Sequence, residues 1–372
     1  MTRFSKDTEF VFPINSLVGS RIGNYLSIIT KHRVHKSFRL RYLFTTAISA
    51  ILTPMAAIED VITKKKVQNV EIVDDPIFII GFWRSGTTLL HNLLCLDPRS
   101  AYVSTFQSVF PNHTLLNQGW LSLMAKILMP KYRPVDRVKL DLKYPQEEEI
   151  SLGNLQELSF YHFFYFPADY DYYYQKSLLM STALDEEIEV FKSSYNKLIK
   201  TALLNIGGKR FISKNPPNTF RIKIIREMYP NAKFIFIHRD PYESITSFQR
   251  FLIPVLDGIK LQNYNMDDLN SKIPGLYRMF FETFERDKKL LDEKSLIEVR
   301  YDDLLNDGMS VLKYIYSKLE IDGFEENEDS LSKYLAKQKD HKSGSYQLSE
   351  KSIRMINEEV YNIIRDYGYK FR

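Results

Sequence analysis

The sequence predicts an α/β protein with a P-loop-like, three-layer fold: a central parallel sheet flanked by helices. Three observations predict it. First, the apolar run Ile77-Phe78-Ile79-Ile80 ends in Gly81, passes through a small polar loop and opens an apolar helical pattern at Leu89-Leu90. That order is buried strand, anion-binding loop, helix N-terminus. Second, apolar runs at 211–214 and 233–238 are separated by a helical stretch, the spacing of a right-handed parallel crossover. Third, Gly81 and Gly86 have the spacing of a nucleotide P-loop, yet Thr87 stands where that motif needs its lysine. The loop suits a phosphate better than a γ-phosphate with magnesium.

The chain has 372 residues, enough for one large α/β domain or two modest ones. Aromatic residues make up 14%, which predicts broad apolar walls and an aromatic ligand pocket. A net charge of +5 is too mild for a nucleic-acid coat but suits an anionic ligand. Cys95 is the single cysteine, so an internal disulfide and a cysteine-based metal cluster are excluded. A reducing, cytoplasmic compartment fits that usage.

Residues 1–70 read as a basic helical segment, with the main domain over 71–372. Lys64-Lys65-Lys66 and Asp74-Asp75-Pro76 mark the break. Met1 to Glu9 is polar and charged rather than signal-like. The apolar stretch 42–58 follows Lys31, Arg33, Lys36, Arg39 and Arg41 and has two readings. One is a membrane-surface anchor whose basic residues face headgroups. The other is a helix packed on the protein body. Its length falls short of the roughly 20 apolar residues a bilayer requires, which favours the second.

Further along, a helix over 86–95 ends at Asp97-Pro98. Residues 99–180, with Pro111, Pro130, Pro134, Pro145 and Pro167, read as short helices and loops over the open end of the sheet. The aromatic concentration at 160–174 is either a pocket wall or a hydrophobic lid core. Helical periodicity covers 184–204, and Gly207-Gly208 ends it. Residues 215–218 are a turn, after which Thr219 is expected to cap a helix running to Tyr229. A last strand over 296–300 precedes a helix over 308–319, and 325–329 reads as a solvated acidic loop.

The chemistry concentrates at two strand ends. In the first loop, N–H groups at a helix start attract an anion, Gly86 lets the backbone come close, and Arg84, Ser85, Thr87 and Thr88 add donors. At the second, Arg239 ends a strand and Ser247 follows eight residues later, about two helical turns on. Alone, that pair could be a surface salt bridge and an ordinary helix serine.

Together these residues resemble the sulfotransferase superfamily that uses 3′-phosphoadenosine 5′-phosphosulfate (PAPS), and most of all its bacterial-type family. The resemblance is carried by Arg84-Ser85-Gly86-Thr87-Thr88 within GFWRSGTTLLHNLL, by Arg239 with Ser247, by Pro145-Gln146-Glu147-Glu148-Glu149 and by the HRDP string. It implies that Arg84, Ser85, Gly86, Thr87 and Thr88 hold the 5′-phosphate, and that Arg239 and Ser247 hold the 3′-phosphate. Ser213-Lys214-Asn215-Pro216 resembles a segment whose lysine lies near the transferred group. Lys214 and Arg84 are thereby the residues expected to stabilise the leaving oxygen. Family position makes Glu147 and Glu148 the leading candidates for the general base, with Glu149 and His113 behind them. Pro217-Asn218 does not supply the histidine that many relatives carry after this turn. Lys342-Ser343-Gly344 is a loose match to late 3′-phosphate contacts, and Tyr301-Asp302-Asp303-Leu304 to a structural string. His91 and Asn92 lie on the helix after the loop, and Cys95 reads as a small buried hydrophobe.

The implied activity is in-line transfer of a sulfonate from PAPS to a hydroxyl, or less readily an amine, of a small molecule, lipid or carbohydrate. It calls for no metal, no nucleic acid and no covalent enzyme intermediate. A P-loop kinase acting on a hydroxyl and a catalytically inactive PAPS-binding protein are the alternatives.

Overall fold

The computed structural model describes residues 13–128, 141–338 and 348–372. Pro130 and Pro134, residues 1–9 and the Lys342-Ser343-Gly344 string lie outside them.

Two N-terminal helices, α1 (Ile22–Ile29) and α2 (Arg39–Gln68), precede the first strand, β1 (Ile77–Ile80), and the loop runs into α3 (Thr87–Leu94). After the short strand β2 (Ser100–Ala101) come α4 (Thr105–Val109), α5 (Gln118–Leu128), α6 (Glu148–Leu155) and α7 (Tyr170–Tyr173), with short 3-10 turns between α4 and α5 and between α6 and α7. Then α8 (Asp185–Ile206) leads to β3 (Arg210–Lys214), α9 (Ile222–Met228) to β4 (Lys233–His238), and α10 (Pro241–Ile259) and α11 (Met266–Asp287) to β5 (Leu296–Arg300). Helices α12 (Tyr301–Asn306), α13 (Gly308–Lys318), α14 (Phe324–Gln338) and α15 (Glu350–Asp366) complete the described chain.

The five strands form one sheet in the order β2-β3-β1-β4-β5, and every pairing is parallel. The crossover through α9 therefore joins strands on either side of β1 rather than neighbours. Period-two alternation sorts the strand side chains into two layers. Ile77, Ile79, Ile212, Ile235 and Ile237 pack with Leu90, Leu93 and Leu312 on one face. Phe78, Ile80, Phe234 and Phe236 pack with Tyr195, Phe248 and Phe284 on the other. Both faces are covered, as a parallel sheet requires. Each fully buried Phe or Ile contributes about 1.5–3 kcal/mol, so the two layers dominate the stability of the sheet.

Two expectations need correction. Thr219 caps no helix. Its hydroxyl instead accepts the N–H of Gly81 at 3.0 Å and pins the start of the loop after β1. The acidic run 325–329 is not a loop but the first turns of α14. Glu325 and Glu326 complement the helix N-terminus while Asn327 is buried, its amide donating to Gly323 O at 2.8 Å. The apolar stretch 42–58 lies inside α2, one side of which packs on the protein body.

Candidate active site

All five strands point their C-terminal ends the same way, which is where open α/β sheets place ligands. A cleft of about 430 Å³ opens there. Its floor is the loop after β1. Gly81 (φ 128°), Arg84 (φ 65°) and Gly86 (φ 94°) all adopt left-handed backbone, folding the chain tightly between strand and helix. A side chain on Gly81 would collide with the carbonyl of Ile237 on β4, and one on Gly86 with the ring of Tyr301. These collisions explain both glycines. Gly86, Thr87 and Thr88 line the cleft at the start of α3, whose first N–H groups have no acceptor within the helix.

The second strand end meets the first through Tyr301. The Arg239 guanidinium stacks on the Tyr301 ring, 4.7 Å from its centroid, and the same ring lies against Gly86. Arg239 pairs with Glu243, one turn into α10, yet its buried Nε has no partner among the described residues. Nor has the buried hydroxyl of Ser85. Arg84 Nε donates to Ser247 Oγ at 2.9 Å, tying the loop after β1 directly to α10. Ser247 is thus engaged with Arg84 rather than pointing alone into the cleft, although its O–H remains a donor.

Beyond the loop lies a short polar network. Lys214 ends β3, and its Nζ is 2.6 Å from Glu147 Oε1. Tyr161 donates to Glu147 Oε2 and accepts from Trp83 Nε1 at 2.7 Å. Burial, followed by the adjacent Glu147 charge, holds the Tyr161 phenol well above its usual range, so it stays a donor. Lys214, Glu147, Tyr161 and Trp83 all line the cleft.

The three consecutive glutamates separate into three environments. Glu147 immediately precedes α6 and faces the cleft. Glu148 does not reach it. It is fully buried, its Oε1 accepts Lys214 N at 3.1 Å, and burial pushes its carboxyl up to about 8. Glu149 is also fully buried. Burial would raise it, but the Arg221 guanidinium holds it below the usual range through two bonds of 2.6 and 2.9 Å. Asn215 and the Phe160 N–H complete its shell.

His113 lies apart from the cleft, packed near α2, and burial pushes its imidazole down to about 4. His91 sits beneath the loop with Nε2 3.3 Å from Ile212 O, driven down to about 3 by burial and by nearby Lys214. Asn92 donates to Tyr334 OH at 2.9 Å. The Cys95 thiol is raised by burial. None of these four lines the cleft. Sequence reasoning missed Trp83, Tyr161 and Tyr301 as cleft residues. Trp83 lay inside the quoted motif and Tyr161 inside the aromatic run, so their composition signal was present but not their partners.

The other half of the cleft is apolar. Ile150, Phe164, Tyr165, Phe251, Val255 and Ile259 form it. A cationic, N–H-rich end faces an apolar one across the same cleft, the layout of a group-transfer enzyme. The chain matches the model of the sulfotransferase family over residues 76–326, and it belongs to that family. It is 31% identical, over 99% of its own length and 94% of theirs, to the omega-hydroxy-beta-dihydromenaquinone-9 sulfotransferase Stf3 of Mycobacterium bovis and of Mycobacterium tuberculosis. Its fold is similar to that of sulfotransferase STF9 from Mycobacterium avium, with a TM-score of 0.69 at 18% identity, covering 93% of this chain and 90% of that one. It is also similar to STF1 from M. tuberculosis H37Rv, with a TM-score of 0.64 at 17% identity and 91% of each chain covered. The protein is a sulfotransferase with a P-loop-like α/β fold.

Proposed function

We propose that the sulfonate donor is PAPS and that the acceptor is the hydroxyl of an apolar, lipid-like molecule. The observation that carries the donor is the convergence of two anion-binding strand ends on Tyr301. A molecule with phosphates at two ends fits both. The start of α3 with Arg84, Ser85, Gly86, Thr87 and Thr88 would hold the 5′-phosphate, and Arg239 with the Ser247 hydroxyl the 3′-phosphate. Buried donors without partners at Arg239 Nε and Ser85 Oγ suit such a ligand.

PAPS, when bound, supplies a sulfonyl group joined to phosphate through a labile S–O bond. The chain's own residues would do the rest. Glu147, the one carboxylate of its run that lines the cleft, takes the proton of the acceptor hydroxyl. As the acceptor oxygen bonds to sulfur, the old S–O bond breaks and its electron pair stays on the phosphate oxygen. Lys214 Nζ, Arg84 and the α3 N-terminus stabilise that charge. Tyr161 keeps the Glu147 carboxylate oriented.

The apolar half of the cleft supports the acceptor class, as does the name of the 31% identical relatives, which specifies a hydroxylated menaquinone. The single cysteine fits a cytoplasmic location. Calorimetry with 3′,5′-adenosine bisphosphate and with magnesium ATP tests the donor. Transfer of labelled sulfonate from PAPS to long-chain ω-hydroxy compounds tests the acceptor. Tight magnesium-dependent ATP binding without bisphosphate binding would overturn the reading in favour of a kinase.

A further inference from the structure

Helix α2 is inside out. The stripe it turns toward the protein is Thr45, Ser49, Leu52, Ala56, Glu59, Thr63 and Val67, more than half of it polar. These polar groups are pinned internally. Ser49 Oγ donates to Ser20 O at 2.6 Å, and the Glu59 carboxylate accepts the N–H groups of Leu115 and Asn117 at 2.8 and 3.2 Å. The opposite face carries the large apolar side chains. Ile51 is 67% exposed, Ile58 59% and Val61 79%, with Leu40, Leu43, Phe44 and Ile62 alongside. Between Leu40 and Ile62 every exposed position of this helix is apolar. Helix α5 packs beside it through Leu121 and Ala125 against Leu52, and adds exposed Trp120, Leu123 and Met124. A patch of this extent has no stabilising role in water.

Charge bounds the face at both ends. Lys36 and Arg39 stand exposed before it, and Lys64, Lys65 and Lys66 after it. The apolar length between them is about 33 Å at 1.5 Å per residue. By length and composition the stretch Lys36–Gln68 could cross a membrane. Its ion pairing argues otherwise, because Lys197 on α8 pairs with Asp60 and would be drawn into lipid with it. A helix bonded along its length to a charged body lies on a bilayer rather than through it.

The face also adjoins the apolar half of the cleft. Arg41 donates to the carbonyls of Lys260 and Asp257, at 2.7 and 3.3 Å, fastening α2 to the end of α10. That end supplies Val255, Gly258 and Ile259 to the cleft wall. We propose that the α2–α5 face is a monotopic docking surface for an anionic lipid bilayer, and that it delivers a membrane-resident acceptor into the apolar half of the cleft. The delivery step rests on the acceptor class proposed above; the docking surface does not.

The full chain is tested by flotation with vesicles of equal parts phosphatidylcholine and phosphatidylglycerol. The wild type floats, less so in high salt, and Ile51→Glu with Ile58→Glu raises the lipid needed about tenfold or more. The same double variant keeps bisphosphate binding and transfer to a short, water-soluble ω-hydroxy acceptor. Trp120 fluorescence provides a readout without mutation: it shifts to the blue on vesicle addition, Trp83 being buried already. Failure of the wild type to float with no Trp shift overturns the proposal. So does a solution dimer that Ile51→Glu with Ile58→Glu disperses, because a second copy would then cover the face. Flotation without any sulfonate transfer sinks the functional reading and leaves the surface standing.

Discussion

Lys214 Nζ and Glu147 Oε1 lie 2.6 Å apart at the end of β3, almost out of water, and form a shielded ion pair. Removing one partner leaves an uncompensated charge in a shielded place. Lys214→Met should cost about 3 kcal/mol of stability and reduce kcat on the order of 10²–10³-fold. Glu147→Gln should lower kcat about 10²–10⁴-fold. The double variant Lys214→Met with Glu147→Gln should recover most of the stability and none of the activity. Thermal unfolding beside turnover checks this; turnover near wild type in either single variant removes that residue from the mechanism.

The two proposed phosphate positions are separable. Arg239→Ala should weaken bisphosphate binding by about one to two orders of magnitude, since a charge-assisted hydrogen bond contributes about 1.5–3 kcal/mol. Ser247→Ala should weaken it by less, and should also loosen Arg84, whose Nε donates to that hydroxyl. Calorimetry with 5′-adenosine monophosphate provides the contrast. Arg239→Ala should leave its affinity unchanged because the ligand carries no 3′-phosphate.

Glu148 predicts a pH dependence of stability. Burial raises its folded-state carboxyl from 4.5 to about 8, so folding favours the protonated form. Its contribution is complete below 4.5 and declines as pH rises through about 8. Glu148→Gln keeps the shape without the titration. Its melting temperature should match wild type near the acid end of that window and exceed it at the alkaline end. An unchanged slope across the window would mean the group is ionised in the fold.

Glu149 and Arg221 should behave as structure alone. Arg221→Met leaves a buried carboxylate unpaired and should destabilise by about 3–5 kcal/mol. Replacing both partners with Met and Leu should be far milder. Urea unfolding measures the cycle.

The fold was legible because its signals are local. The apolar runs at 77–80 and 233–238, the glycines at 81 and 86, and the breaks at Asp97-Pro98 and Gly207-Gly208 each follow from backbone preference or period over a few residues. The errors were local signals overruled from a distance. Thr219 looked like a helix cap, but its hydroxyl accepts the N–H of Gly81 instead. The acidic run 325–329 looked solvated, until a core contact at Phe324 and Leu331 made it the start of an amphipathic helix.

Sequence alone determined which residue types stand at the strand ends, and so that cations and hydroxyl donors gather there. Tertiary structure decided which of three adjacent glutamates meets the cleft, because a helix start turns consecutive side chains in different directions. It also decided that α2 shows its apolar side outward. Composition gives the amount of hydrophobic surface, but only packing against the body fixes which side of a helix is left to face water or lipid.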